Sequence, residues 1–199
     1  MHWYDGHDQH AEAFRQRRST TIGVVEVQRW AAQLPPKAKV ADLGCGFGYP
    51  LTAALVNAGC SVYGVDRSPK LLKMLEASLP QVRTECADVL SATCNGEKDF
   101  DACLAWGLFF LLSESDQRQL IAKVATILRP QGELLFTSPR QPLRWPDALT
   151  GVPSVSLGED EYRKVLQENG FDLFEQFQDE GENHYYHCRL HYHLCVSSV

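Results

Sequence analysis

The chain reads as an α/β protein: a doubly wound, mostly parallel seven-stranded sheet with helices on both faces and an antiparallel hairpin at its C-terminal end. Three observations predict this. From residue 39 onward strand-like apolar runs alternate with helix-like amphipathic runs, and parallel neighbours need crossovers that helices supply. The glycine-rich turn "DLGCGFG" separates the first strand from the helix after it. Two alternating runs near the C-terminus, "FDLFEQFQ" and "HYYHCRLHYHLCV", flank the acidic turn "DEGEN" and read as an antiparallel pair.

The elements follow in order. Helical stretches over 9–18 and 21–34 come first; Ile22, Val25, Trp30 and Leu34 mark the buried stripe of the second, and Pro35 and Pro36 stop it. "KVADLG" is a buried strand, and the residues from Pro50 to Ala58 form a helix with Pro50 in its first turn, where a missing N–H is harmless. "CSVYGVD" is strand two. Pro69 opens a helix carrying Leu71, Leu72 and Leu75, "QVRTECAD" is a weaker third strand, and "FDACLAWGLF" is a fourth of continuous apolar character. Ser113 caps the next helix, with Asp116 completing a capping box; "RPQG" ends it and "ELLFTS" is strand five. Residues 139–158 hold four prolines and no periodicity, the mark of a long surface loop. "EDEYRKVLQENG" is a helix stopped by Gly170, after which the hairpin closes the sheet.

At 199 residues, 44% apolar and 22% charged, the chain is expected to be one domain over 1–199. It divides into an N-terminal helical cap (1–34), a cofactor-binding core (39–139), a substrate loop (140–158) and a C-terminal helix with hairpin (159–199). No apolar run is long enough to cross a bilayer, and "MHWYDGHDQH" lacks the basic-then-apolar pattern of a leader, so a cytoplasmic address is expected. Seven cysteines without a C-x-x-C pair argue against a disulfide framework or a zinc site; Cys60, Cys86 and Cys103 sit in or beside apolar runs, and most of the seven read as small buried hydrophobes. A net charge of −6 without a basic stripe argues against a nucleic-acid partner. The one dense basic cluster, Arg15 to Arg18, reads as a solvated helix face. Oligomeric state is not legible.

A glycine-rich turn between strand and helix offers backbone N–H groups at a positive dipole end and lets a ligand approach the backbone closely. Here Gly44, Gly46 and Gly48 give G-x-G-x-G, whereas the dinucleotide fingerprint needs glycine at position 49, occupied by Tyr49. A phosphate-cradling lysine is missing. Asp42, two positions before the first glycine, repels a pyrophosphate and attracts a cation such as an amino group or a sulfonium centre.

In these residues the sequence resembles the class I, Rossmann-like methyltransferases that use S-adenosylmethionine, over roughly Val40 to Pro139. The resemblance implies that Asp66, ending strand two, binds the ribose hydroxyls, that Asp88 with the Val89 backbone binds adenine, and that Asp42 holds the amino end. Arg67, beside Asp66, is counted in the same site, and Cys45 contributes backbone only. These roles suit carboxylates, which accept from two hydroxyls or from an exocyclic amine. Trp106, at the end of strand four, lies near the cofactor or packs in the core. "AWGLFF" lacks the N/D-P-P-Y/F box of enzymes acting on amide or adenine nitrogens, and no Pro-Cys pair supplies a pyrimidine nucleophile. The resemblance therefore points to the small-molecule branch, with a non-catalytic S-adenosylmethionine-binding regulator or a protein or RNA methyltransferase as alternatives.

Methyl transfer from a sulfonium is a direct displacement, so a general base is optional. Candidates for one are Glu182, His184 and Tyr185, although the turn at 182–183 also suits plain solvated residues. Residues 140–158, with the "DEGEN" turn beside them, are expected either to form the acceptor pocket, Leu143, Trp145, Leu149 and Val152 walling an apolar acceptor and Arg140 and Arg144 drawing an anionic one, or to be a plain connecting loop. His187, His191 and His193 share one face of the last strand. Because Tyr186, Cys188, Leu190, Tyr192, Leu194 and Val196 make the opposite face apolar, the histidine face is expected to be solvated and no metal is assigned. Trp3 and Tyr4 either fold over the cofactor as a lid or pack on the core.

Overall fold

Strand β1 (Lys39–Leu43) sits centrally because it is apolar on both faces: Val40 packs on one side of the sheet and Ala41 and Leu43 on the other. The computed structural model describes residues 11–147 and 151–191. Helices α1 (Ala11–Arg17) and α2 (Val24–Ala31) precede β1. After it come α3 (Leu51–Asn57), β2 (Ser61–Asp66), α4 (Pro69–Ser78), β3 (Arg83–Cys86), β4 (Phe100–Ala105), α5 (Glu114–Ile127) and β5 (Leu128–Thr137). A short pair, β6 (Leu143–Pro146) and β7 (Pro153–Ser156), leads to α6 (Glu159–Glu168), β8 (Phe171–Gln178) and β9 (His184–Leu190).

The seven-stranded sheet has the order β3-β2-β1-β4-β5-β9-β8. Pairs among β1 to β5 are parallel, and β9 runs antiparallel to both β5 and β8. Strand order reverses between β1 and β4, which opens a crevice at their carboxyl ends, the place where doubly wound sheets take ligands. Apolar residues fill both faces, as the alternation within β5 shows: Leu134 and Phe136 join the cluster with Phe109, Leu120, Val124 and Tyr162, and Leu135 joins Val27, Trp30, Leu55 and Tyr185. Side-chain caps fix two helix starts beside the crevice. Ser68 accepts from Leu71 N at 3.2 Å, and Ser113 from Asp116 N at 3.2 Å.

Four expectations change. Val25 is 69% exposed, and the buried stripe of α2 is Val27, Trp30 and Ala31, because the helix starts only at Val24, after a left-handed Gly23. "RPQG" does not precede strand five but lies inside it, where Gln131 has a φ of 66° and the pairing with β4 slips between Phe100 and Ala102. Residues 139–158, expected to be a loop, hold the β6–β7 pair, whose register joins Arg144 to Val155 and Trp145 to Ser154. His187 is 2% exposed rather than solvated, because Trp30 of α2 covers that face: the two rings meet edge to face at 6.2 Å. Its ring nitrogens bond Glu133 Oε2 at 2.8 Å and Glu175 Oε2 at 3.4 Å. His191 is exposed, while Trp3, Tyr4, Leu149, Tyr192, His193, Leu194 and Val196 lie outside the described residues. Cys86 is exposed too; among the described residues Cys94, Cys103 and Cys188 are the buried thiols. Among the described residues no group of three or more His, Cys, Asp or Glu side chains is placed to hold a metal ion, and no helix is long and apolar enough to cross a membrane.

Candidate functional site

Glycine governs the turn after β1. Gly44, Gly46 and Gly48 have φ of 74°, 57° and 85°, and a Cβ on Gly48 would stand 3.0 Å from Leu75 of α4. The turn's amides, expected to be unpaired, are used within the protein. Gly44 N and Cys45 N donate to Val65 O at 2.8 and 3.1 Å, Gly46 N to Asp66 Oδ2 at 2.9 Å, and Gly48 N to Cys45 O at 3.1 Å. The loop therefore offers shape and close backbone approach rather than an anion-binding nest, which disfavours a pyrophosphate. Gly64 of β2 makes room for the Cys45 side chain, since a Cβ there would lie 2.9 Å from Cys45 Sγ. Burial pushes the Cys45 thiol well up, which leaves it unreactive and agrees with a backbone-only role.

A cavity of about 420 Å³ opens over this turn, lined by Asp42, the glycine loop, Asp66, Arg67, Asp88, Val89 and Trp106. Nine of the ten residues assigned to the cofactor thus line it, and the tenth, Gly48, packs against Leu75 and Leu79 instead. Asp66 is fixed by backbone donors: Oδ2 by Gly46 N and Oδ1 by Ser68 N at 2.8 Å. Asp88 Oδ1 accepts from Leu90 N at 2.8 Å, and Arg67 lies 3.4 Å from its other oxygen. Asp42, 4% exposed, takes a 2.7 Å bond from the Thr52 hydroxyl. Its carboxyl is pushed up to about 6, chiefly by burial, with the charge of Asp66 adding to the shift.

Arg18 was missed. Arg15 of the basic run pairs with Glu12 in solvent, as a solvated face should, but Arg18 lies past the end of α1 and enters the cavity. Its guanidinium rests 3.8 Å over the Trp106 ring, and burial brings it down to about 10, still charged at neutral pH. A position beyond the last helical turn has no periodicity to reveal it. Phe14 reaches the same cavity from α1 and meets Phe47 edge-on at 6.1 Å.

Trp106 stands just past β4, and Tyr185 holds it. The Trp106 indole donates to the Tyr185 hydroxyl at 2.6 Å, which donates to Asp179 Oδ2 at 2.9 Å. Tyr185 is fully buried, lines neither this cavity nor the second one below, and holds Trp106 in place; burial raises its phenol above the ordinary value. Glu182 and His184 lie elsewhere. They line a second cavity, about 610 Å³, together with Phe110, Thr137, Ser138, Arg140 and Trp145. Phe110 borders both cavities and tilts against Trp145 at a centroid distance of 5.5 Å. Arg140 pairs with Glu159 at the rim, whereas Arg144 turns outward to Glu114 and lines neither cavity.

A doubly wound sheet of this order, with a cavity lined by carboxylates over G-x-G-x-G at its switch point, is the arrangement that the resemblance to class I, Rossmann-like methyltransferases implies. Residues 40–132 match the family model of a methyltransferase domain. Among curated proteins, trans-aconitate 2-methyltransferase of Variovorax paradoxus is 34% identical over 112 residues, covering 53% of this chain and 40% of its own. The chain spans about half the length of the curated relatives it matches. Among solved structures, 1,6-didemethyltoxoflavin-N1-methyltransferase of Burkholderia thailandensis, bound to its substrate and S-adenosylhomocysteine, superposes with a TM-score of 0.72 at 19% identity, over 94% of this chain and 84% of that one. A TehB-like methyltransferase of Corynebacterium glutamicum gives 0.70 at 20% identity, over 92% and 99%.

Proposed function

We propose that the protein methylates a small molecule at an oxygen, nitrogen or sulfur atom, using S-adenosylmethionine as donor. One observation carries the reading: the cavity with Asp42, Asp66 and Asp88 in series adjoins a second cavity across a single side chain, Phe110. In the first, Asp66 would hold the ribose hydroxyls, and Asp88 with the Val89 backbone the adenine. Asp42 and Arg18 place opposite charges at one end, which suits a zwitterionic amino-acid tail. The bound donor supplies a methyl group on a sulfonium whose departure leaves a neutral thioether. What remains for the chain is alignment and exclusion of water, which Trp106, Phe110 and Trp145 perform from the walls. A cavity walled by aromatic rings, with Arg140 at its rim, favours a partly apolar acceptor bearing an anionic group. Two of the proteins this chain resembles are named for small-molecule acceptors, trans-aconitate and 1,6-didemethyltoxoflavin.

Calorimetry with S-adenosylmethionine and S-adenosylhomocysteine, without added metal, tests the donor half of the reading, and stoichiometric binding of both is expected. Transfer of labelled methyl into the small-molecule fraction of a cell extract then identifies the acceptor. Absence of heat with either ligand, beside measurable binding of a nicotinamide dinucleotide, would overturn the proposal.

A further inference from the structure

The second cavity contains a hydrogen-bond chain whose polarity is set at its far end. Glu159, at the start of α6, stays ionised: hydrogen bonds from Gln176 and then Arg140 hold its carboxyl down to about 2. A carboxylate only accepts, so the 2.9 Å contact between Gln176 and Glu159 Oε1 fixes the Gln176 amide nitrogen on that side. The amide oxygen therefore faces His184 Nε2, 2.9 Å away. An amide oxygen only accepts as well, so Nε2 carries the proton, and in the neutral ring Nδ1 is left with the lone pair. His184 is 9% exposed and lines the cavity proposed for the acceptor, at the carboxyl edge of the sheet.

Resting on the reading above, we propose that His184 takes the acceptor's proton through Nδ1, with Glu159 and Gln176 as positioning residues that set its tautomer. The acceptor is accordingly a hydroxyl or N–H compound rather than one that already carries its lone pair as an anion. As the bond from acceptor to methyl forms, the carbon–sulfur bond breaks and its electron pair stays on sulfur. The proton passes to Nδ1, and the pair of the O–H or N–H bond remains on the acceptor, so charge and atoms balance. The groups around the ring agree. Burial lowers His184 and Arg140 lowers it further, against an opposing pull from Glu159, so the ring is neutral at pH 7. Tyr186 packs edge-on at 4.9 Å, and Glu182 shares the cavity.

The test joins spectroscopy to kinetics on the full chain. Nitrogen NMR, with His184 assigned by comparison with His184→Gln, is expected to show the neutral Nε2–H tautomer, and Gln176→Met a mixture of tautomers. With labelled methyl donor and a dilution series of the small-molecule extract, His184→Gln should lose at least about 100-fold in kcat with apparent KM within about threefold. It should also lose the acid limb of the wild-type pH profile, which lies below the ordinary histidine value of about 6.5. An Nδ1–H tautomer in the wild type, or His184→Gln turning over at more than about a tenth of the wild-type rate, would overturn the proposal. Both variants should bind S-adenosylhomocysteine within a few-fold of wild type. Failure of the wild type itself to bind it marks failure of the methyltransferase reading instead.

Discussion

Asp42 shows what burial does to a single carboxylate in the first cavity. Burial raises it to about 6, so near that pH part of the population is protonated before any ligand arrives. A positive amino group beside it favours the ionised form, so binding releases a proton. The sign follows: affinity for S-adenosylhomocysteine should rise with pH through about 6 and then level off. Calorimetry at pH 5.5 in buffers of different ionisation enthalpy should detect the released proton, and Asp42→Asn should abolish both effects. A pH-independent affinity would place the amino group away from Asp42. That Asp42, Asp66 and Asp88 gather at one cavity was legible in the sequence because each stands at or just past the carboxyl end of a parallel strand. Arg18 was not, since its role comes from where the chain turns after α1, and only the 3.8 Å stacking on Trp106 reveals it.

The last two strands show how far alternation carries and where it stops. Period-two patterning correctly paired β8 with β9 and assigned Tyr186, Cys188 and Leu190 to an apolar face. It said nothing of what covers the other face. There β9 is inserted between β5 and β8, and α2 lies over it, so His187 and Glu133 are enclosed with Trp30. The indole donates to Glu133 Oε2 at 2.9 Å, and Arg189 reaches Oε1 at 2.7 Å. Burial pushes the Glu133 carboxyl up, but the bonds from His187 and Arg189 outweigh it and hold the group at about 2. A depressed acid contributes stability above its unfolded value, 4.5, that disappears as pH falls through the folded one. Glu133→Leu leaves the Trp30 N–H buried without its acceptor and should cost about 1–3 kcal/mol at pH 7 by denaturant unfolding. The gap from wild type should narrow as pH is lowered from 4.5 toward 2. An undiminished midpoint at pH 7 would mean that α2 is held by apolar contact alone.

At the scale of the whole molecule, both cavities lie along one edge of the sheet, where the strand order turns and β9 begins. The alternation of strands and helices was enough to place the first cavity, because a parallel sheet has only one carboxyl edge. The acceptor side was harder to read. Part of its wall, Trp145, comes from the β6–β7 pair, two strands of four residues bounded by prolines, too short to carry a period. Inside such a pair alternate residues point to opposite sides, and neighbours in sequence part company: Trp145 turns toward Phe110 and the cavity, Arg144 toward Glu114 and solvent. The two positions, equivalent as a sequence pattern, should therefore separate in experiment. With the acceptor recovered by the labelled screen, Trp145→Ala should raise its KM at least about tenfold, roughly 1.4 kcal/mol of lost recognition, while S-adenosylhomocysteine affinity stays within a few-fold. Arg144→Ala should alter neither, because an exposed ion pair contributes little. Near-normal kinetics in Trp145→Ala would move the acceptor out of the second cavity and into the donor cavity, on the Phe14 side of Trp106.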